Sequence, residues 1–182
     1  TTPYAGQIIK GAQDAAWKNG KILLNVNIDD EPGLERTGLE ILLERQVEGI
    51  IYATMFHRPV DPHPFIFETN SVLLDCFDPN GSLPSVVPDE IGGGYTATRF
   101  LIEQGHRSIG FINNMDDIPA TGGRMAGYQQ ALEESGLPYR HEFVCAEESN
   151  AKGGYRAAVS LFQRSERPTA LFCFNDRMAM GA

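Results

Sequence analysis

Long hydrophobic runs are missing from this chain, and no stretch approaches the roughly 18 consecutive apolar residues that a transmembrane helix needs. No basic segment followed by an apolar segment opens the sequence, so no export signal is visible. With 42% hydrophobic and 21% charged residues, the composition is ordinary for a folded, water-soluble protein. We therefore expect no membrane partner.

Basic charge is also scarce. Lysine and arginine contribute 15 residues against 24 aspartates and glutamates, which gives a net charge of −9 at pH 7. No basic stripe that would neutralise phosphate groups is present. The polypeptide by itself is not expected to bind nucleic acid.

Cysteine is limited to Cys76, Cys145 and Cys173, an odd number of residues that lie far apart in the chain. Such a set favours reduced, buried thiols over a disulfide framework. This usage fits the reducing cytoplasm, which is where we expect the protein to act.

Catalytic and metal-binding motifs are absent as well. The four histidines form no HExxH sequence and have no cysteine at zinc-ligand spacing, and no serine stands in a G-x-S-x-G elbow. Gly92, Gly94 and Ala97 match the dinucleotide pattern G-x-G-x-x-A, but they follow Asp89, which already begins a predicted helix. Close helix packing is the favoured explanation over nucleotide binding. We expect no enzyme activity, metal or cofactor.

The chain does carry a regular alternation of helical and strand patterns. Predicted helices cover residues 3–19, 30–46, 89–104, 125–135 and 151–163. Predicted strands cover residues 21–27, 49–53, 71–75, 108–112 and 169–174, with short strands ending near Val87 and lying near Phe143. This order predicts an α/β protein with parallel sheets flanked by helices, whose ligand-binding residues lie at the carboxyl ends of the strands.

Three prolines in ten residues at 79–88 (PNGSLPSVVP) mark the best candidate for a crossing between two lobes. We place the N-terminal lobe at residues 1–87 and the C-terminal lobe at 88–182. Both lobes are expected to be Rossmann-like.

Three strings in the second half point to one family. They are EQGHRSIGFI at 103–112, RMAGYQQAL at 124–132 and RPTALFCFNDRMAMGA at 167–182. In this order and spacing they closely resemble the effector-binding domain of the lac and galactose repressor (LacI-type) family of bacterial transcription regulators. VEGIIYAT, SVLLD and VVPDEIGGGYTATRFL in the first half extend the resemblance over essentially the whole chain.

The resemblance implies a periplasmic-binding-protein-like fold with a ligand cleft between its lobes, truncated at both ends. The first strand of the N-terminal lobe and the C-terminal segment of the other lobe are missing. In the family, a small effector, here expected to be a sugar, allosterically alters operator binding through an N-terminal helix-turn-helix outside this chain. The full-length protein would act as a homodimer. The alternative is an exported sugar-binding protein of a transport system.

Three polar residues are the main candidates for effector contact. Arg124 begins a helix after the loop 115–123, where its guanidinium can donate to vicinal hydroxyls or a carboxylate, although it can instead pair with a neighbouring carboxylate. Asn175 follows a strand, but it can also cap the next helix unless Asp176 does so. Asp75 ends a predicted strand and can otherwise cap the turn at 78–81. The family's matching arginine and asparagine bind ligand, and its position matching Asp75 belongs to the pocket or the network around it.

Further candidates come from aromatic and N-terminal residues. The stretch 148–151 lacks the aromatic platform that many family members carry, so Tyr52, Phe56 or Phe77 can offer a face to a sugar ring, or simply belong to the core. The resemblance also places Thr1, Thr2 and Tyr4 beside the carboxyl end of the missing strand, where they can line the cleft.

Overall fold

The structure of the protein is a computed structural model that describes residues 3–28 and 31–182. The chain separates into two compact units, Thr1–Val87 and Pro88–Ala182, called here the N-terminal and C-terminal units. Each unit contains a three-stranded parallel sheet with α-helices. The predicted α/β class with parallel sheets is confirmed.

The N-terminal unit begins with two helices, α1 (Pro3–Lys18) and α2 (Pro32–Glu44). The first helix is followed by Gly20, which adopts a φ of 67° that other residues rarely tolerate. The second begins at Pro32, and the preceding residue, Glu31, occupies the N-cap position without a side-chain capping hydrogen bond. Asp30, where the predicted helix begins, lies outside the described residues.

Three strands form the sheet of this unit: β1 (Ile50–Pro59), β2 (Ser71–Phe77) and β3 (Ser85–Val86), in the order β1-β2-β3. A 3-10 helix, Pro64–Glu68, connects β1 to β2 in place of the α-helix that this position commonly holds. Its Ile66 is buried with Leu73 and Cys76 in a small core. Half-buried Tyr52, Val60 and Leu83 pack against them.

The predicted strand at 21–27 is not formed. Residues 21–28 have no regular secondary structure, and Ile22 remains 82% exposed. Strand β1, at the edge of the described sheet, pairs only with β2, and its other edge borders an apolar groove of about 640 Å³. Side chains of α1, the segment 21–26 and β1 line this groove. A strand pattern without a hydrogen-bonding neighbour cannot join a sheet, which explains the failed prediction.

The C-terminal unit alternates helices and strands throughout. Its elements are α3 (Glu90–Glu103), β4 (Ile109–Asn114), α4 (Pro119–Glu134), β5 (Val144–Glu147), α5 (Ala151–Phe162), β6 (Ala170–Cys173) and α6 (Asp176–Gly181). The sheet order is β5-β4-β6, and the central strand β4 is buried at every residue, as expected when helices cover both faces. Phe111, Tyr128, Leu161 and Met178 are fully buried in the core of this unit.

Helix α4 begins at Pro119, six residues before the predicted start. The sequence signal was weak there because Thr121, Gly122 and Gly123 are poor helix formers. Packing supplies the reason for two of the glycines. A Cβ atom on Gly123 would lie 2.6 Å from the Glu90 Cβ, and one on Gly127 would lie 2.1 Å from the Ile91 carbonyl oxygen. Helix α4 therefore packs on α3 at a distance that only glycine permits.

Close packing also explains the glycine pattern that resembles a dinucleotide motif. A Cβ atom on Gly94 would lie 2.4 Å from the carbonyl oxygen of Arg124 on α4. The carboxylate of Asp89 accepts a hydrogen bond from the Gly92 amide at 2.8 Å and caps α3. Both glycines thus serve helix packing and capping, as the sequence favoured.

Candidate functional site

Carboxyl ends of the three parallel strands meet at one edge of the C-terminal sheet. β4 ends in the buried Asn113 and Asn114, β5 ends in Glu147, and Phe174 and Asn175 follow β6. The loop after β4 leads into α4, which carries Arg124. Polar side chains at the carboxyl edge of a parallel sheet are the usual ligand contacts of open α/β folds, so this edge is the candidate site.

Arg124 lies at this edge with three described contacts. Its Nε donates to Glu90 Oε2 at 2.8 Å, and Nη1 donates to the backbone carbonyl of Phe174. The guanidinium carbon also lies 4.3 Å from the centre of the Phe174 ring, within cation–π range. The salt bridge that the sequence left open as an alternative is therefore formed.

These contacts leave part of the guanidinium available. An arginine has five N–H donors, and within the described residues Nη2 makes no hydrogen bond. The side chain is 27% exposed, whereas Glu90 is 8% exposed. Arg124 is thus held by Glu90 and Phe174, while Nη2 remains a donor without a partner among the described residues.

Asn175 caps α6. Its Oδ1 accepts from the Met178 amide at 2.9 Å, and its Nδ2 donates to Ser149 Oγ at 2.6 Å. Asp176 is the first residue of the helix and does not replace Asn175 as the cap. Because Arg124 bonds to the carbonyl of the preceding residue, the structure brings Arg124 and Asn175 together at one strand end.

Asp75 is buried in β2, two residues before the strand ends, rather than at its end as predicted. Its φ of 58° is in the left-handed region, an uncommon and strained conformation for a residue with a side chain. Thr54 Oγ1 on β1 lies 2.8 Å from the backbone carbonyl oxygen of Asp75 on β2, and this contact connects the two strands. The same hydroxyl lies 2.8 Å from the backbone carbonyl oxygen of Phe56.

The turn-capping role proposed as an alternative for Asp75 belongs to Asp78. Its two carboxylate oxygens accept from the amides of Asn80 and Ser82 at 2.8 and 2.9 Å. These backbone hydrogen bonds lower the pKa of Asp78 below its usual value. Asp75 is therefore not the turn cap.

The aromatic candidates of the N-terminal unit differ in accessibility. Phe56 on β1 is 46% exposed, and the Arg58 guanidinium carbon lies 5.4 Å from its ring centre. Phe77 is half-buried and makes an edge contact with His57 at a centroid separation of 5.4 Å. Tyr52 packs against the small core. Phe56 is thus the most accessible of these rings.

The remaining candidates cannot be placed in the site. Thr1 and Thr2 lie outside the described residues, and Tyr4 lies in α1 with its side chain outside the described part. Their proposed position in the cleft stays a prediction.

Sequence reasoning missed Glu90 and Asn114. Glu90 follows the N-cap residue Asp89, at a position where an acidic side chain is ordinarily exposed and interacts with the helix dipole. The neighbouring residues therefore did not indicate that Glu90 is buried. Asn114 is 2% exposed, and among the described residues its Oδ1 has no hydrogen-bond partner. An asparagine that ends an apolar strand was the available signal for Asn114.

Metal ligands and reactive thiols are two further kinds of site to consider among the described residues. No group of three or more histidine, cysteine, aspartate or glutamate side chains is arranged to hold a metal ion in this part of the chain. Burial raises the pKa values of the Cys76, Cys145 and Cys173 thiols, the opposite of what a reactive thiolate needs. No helix in the described ranges is both long and apolar enough to span a membrane.

Comparison with known families decides where the chain belongs. The model of the family described as periplasmic binding proteins and sugar binding domain of the LacI family matches residues 1–182. The chain belongs to this family. This membership confirms the resemblance drawn from the three sequence strings of the second half.

Relatives within the LacI family include two proteins named HTH-type transcriptional repressor PurR. Those from Pectobacterium atrosepticum and Yersinia pestis are 30% and 31% identical over 184 and 186 residues, and each match covers 99% of this chain. The chain spans 54% of either relative, so it corresponds to about half of such a protein.

Solved structures of LacI-family regulators share the fold. A transcriptional regulator from Rhizobium etli is 29% identical with a TM-score of 0.86, and the match covers 99% of this chain and 66% of that one. The transcription regulator CcpA of Lactococcus lactis is 27% identical with a TM-score of 0.69, over 98% of this chain and 65% of that one.

Proposed function

We propose that this chain is the ligand-sensing part of a bacterial transcription regulator and that it binds a small hydroxylated effector, a sugar. The observation that carries the proposal is the family match over the whole chain, joined to a polar strand edge where Arg124 keeps an available donor. The relatives are named as transcriptional repressors, which favours a regulator over the exported sugar-binding protein of a transport system. Neither role needs catalysis or a cofactor.

Effector contact is assigned to residues in both units. In the C-terminal unit, Arg124 and Asn175 are proposed to contact effector hydroxyls. In the N-terminal unit, Asp75 is the proposed polar contact, and Phe56 or Phe77 the proposed aromatic face. Thr1, Thr2 and Tyr4 remain candidates on the strength of the family resemblance alone.

The full-length protein acts in the cytoplasm as a homodimer and reaches operator DNA through a helix-turn-helix that precedes this chain. The net charge of −9 supports leaving DNA contact to that other segment. Effector and operator then alter one another's affinity reciprocally, as linkage requires.

The units are proposed to be incomplete lobes of the sensing domain. Residues 1–87 form an N-terminal lobe that lacks its first strand, and the apolar groove beside β1 is a suitable place for that strand. Residues 88–182 form a C-terminal lobe that lacks its last segment, which agrees with the 85% exposure of Met180.

The test uses the full-length protein and an operator selected with it from a random DNA library. Operator affinity is measured with and without a panel of monosaccharides, one of which should change it. Arg124→Ala should abolish that change while effector-free operator binding persists. Arg124→Lys keeps the positive charge beside Glu90 and should weaken the response without disturbing the fold.

Arg99→Ala is the matched control, because Arg99 lies on the neighbouring helix and bonds to Ser135 and Glu103 instead. An unchanged sugar response in both Arg124 variants removes Arg124 from the pocket. Sugar binding by a protein that selects no DNA would support the transport function.

A further inference from the structure

Glu90, Arg124 and Phe174, called here the arginine clamp, form a compact group on three elements of the C-terminal unit. The carboxylate of Glu90 receives Arg124 Nε at 2.8 Å, while the carbonyl and ring of Phe174 contact the rest of the guanidinium. Glu90 comes from the start of α3, Arg124 from α4 and Phe174 from the end of β6. The guanidinium is therefore fixed in position before any ligand arrives.

The charge of the clamp is balanced internally. Glu90 is 8% exposed, and its carboxylate forms a salt bridge with Arg124. The positive charge that an unpaired arginine would present to an anion is therefore already compensated. Asp176 and Arg177, which follow Asn175 on α6, are exposed and opposite in sign. They add no net positive charge to the edge.

Hydrogen-bond donation, unlike charge, remains available. Nη2 donates to none of the described residues, and a hydroxyl oxygen can accept from it without bringing a charge to the site. A carboxylate or phosphate at the same donor would also approach the partly desolvated Glu90 carboxylate. At an effective dielectric of about 20, the repulsion between an anion and Glu90 about 6 Å apart is worth roughly a hundredfold in affinity, which offsets the attraction of that anion to the Arg124 guanidinium. The cost of removing the anion from water is then not repaid, whereas a neutral hydroxyl has a much smaller cost.

We propose that Glu90 is a specificity-determining residue that makes this site select uncharged hydroxylated effectors over anionic ones such as sugar acids and sugar phosphates. The inference rests on the proposed effector-sensing function and adds the charge class of the ligand. Glu90 acts through Arg124, which it both positions and neutralises.

The experiment measures calorimetric affinities of the full-length protein at about 0.15 M salt, near physiological ionic strength. The probes are matched pairs: glucose with glucuronate, galactose with galacturonate, and ribose with ribose 5-phosphate. For whichever of these pairs the wild-type protein binds, the neutral sugar should bind at least about tenfold tighter than its anionic counterpart.

Glu90→Gln keeps the side-chain shape and an oxygen that accepts from Arg124 Nε, but it removes the negative charge. It should shift the affinity ratio by at least about tenfold toward the anionic member. Glu103→Gln is the control, because it removes the same charge from the same helix at an exposed side chain that pairs with Arg99. Its ratio should equal that of the wild type.

The affinities of the wild type and of Glu90→Gln either support or overturn the proposed role of Glu90. Tighter wild-type binding of an anionic member overturns it, and this comparison needs no variant to fold. A Glu90→Gln protein that loses affinity for both members equally shows a structural role only and also overturns it. If the protein binds no member of any pair, the proposed sugar-sensing function is contradicted. If it binds sugars but Glu90→Gln leaves the ratio of neutral to anionic affinity unchanged, only the inference about Glu90 is contradicted.

Discussion

At the scale of single residues, the predicted ligand contacts already have structural partners. Arg124 pairs with Glu90 and Asn175 caps α6, which were the competing roles considered from the sequence. These roles do not oppose ligand contact, since an arginine with five N–H donors can serve a carboxylate, a carbonyl and a ligand together. Partners within the protein also restrict the side chain, which lowers the entropy cost of binding.

Tyr128 allows a prediction about stability and pH. Its ring is fully buried, its hydroxyl donates to the Ile109 carbonyl at 2.8 Å, and burial raises the pKa of the phenol above its ordinary value near 10. The unfolded chain therefore loses this proton at a lower pH than the folded chain does. Above about pH 10 the unfolded state binds fewer protons, so stability falls as pH rises.

Tyr128→Phe should lower the free energy of unfolding at pH 8 by about 1 kcal/mol, because a buried hydrogen bond is lost. It should also make the alkaline decline shallower, since no phenol remains to titrate. Urea unfolding between pH 8 and 11.5 measures both effects. Tyr155→Phe, at a ring that is 62% exposed, is the control; equal alkaline slopes in the two variants would contradict the assignment.

At the scale of elements, glycines determine how α3 and α4 pack. Gly94 and Gly127 face the opposite helix so closely that a side chain on either would overlap backbone atoms. The contact also brings Glu90 on α3 to Arg124 on α4. Gly94, which belongs to the glycine pattern that matched a dinucleotide motif in the sequence, thus helps to pack the two helices that carry Glu90 and Arg124.

Gly127→Ala should destabilise the C-terminal unit by about 1–3 kcal/mol, because its Cβ would meet the Ile91 carbonyl at 2.1 Å and the helices would have to separate. Gly122→Ala on the same helix meets nothing within 4 Å and should stabilise by about 0.5–1 kcal/mol through helix propensity. Chemical denaturation of both variants measures the difference. Equal effects would show that the helices are not in close contact at Gly127.

At the scale of the whole molecule, the two units bury cores of different size. Among the described residues, the C-terminal unit has 13 buried residues in one cluster, whereas the cluster of the N-terminal unit consists of Ile66, Leu73 and Cys76. The apolar groove beside β1 accounts for part of that difference, because it leaves Ile22, Leu24 and Ile51 exposed. A strand in the groove would bury these side chains and pair with β1.

Hydrogen exchange should detect such a strand. In the full-length protein, the amides of residues 21–28 and 50–53 should exchange at least about tenfold more slowly than in this chain, because new ladder hydrogen bonds protect them. Amides of β4, which is already central in its sheet, serve as the internal control and should change little. Equal exchange of residues 21–28 in both proteins would show that no strand enters the groove.

The sequence by itself determined the alternation of helices and strands, the helix cap at Asp89, and the family, because hydrophobic periodicity and capping depend on neighbours a few residues apart. Only the tertiary structure decided that 21–27 is not a strand, that Asp75 adopts a left-handed backbone, and that Glu90 pairs with Arg124. Pairing partners and burial come from distant residues: Glu90 and Arg124 are 34 positions apart. Local sequence patterns therefore predict the helices and strands. Contacts between residues far apart in the sequence determine which hydrogen-bond donors of Arg124 are engaged within the protein.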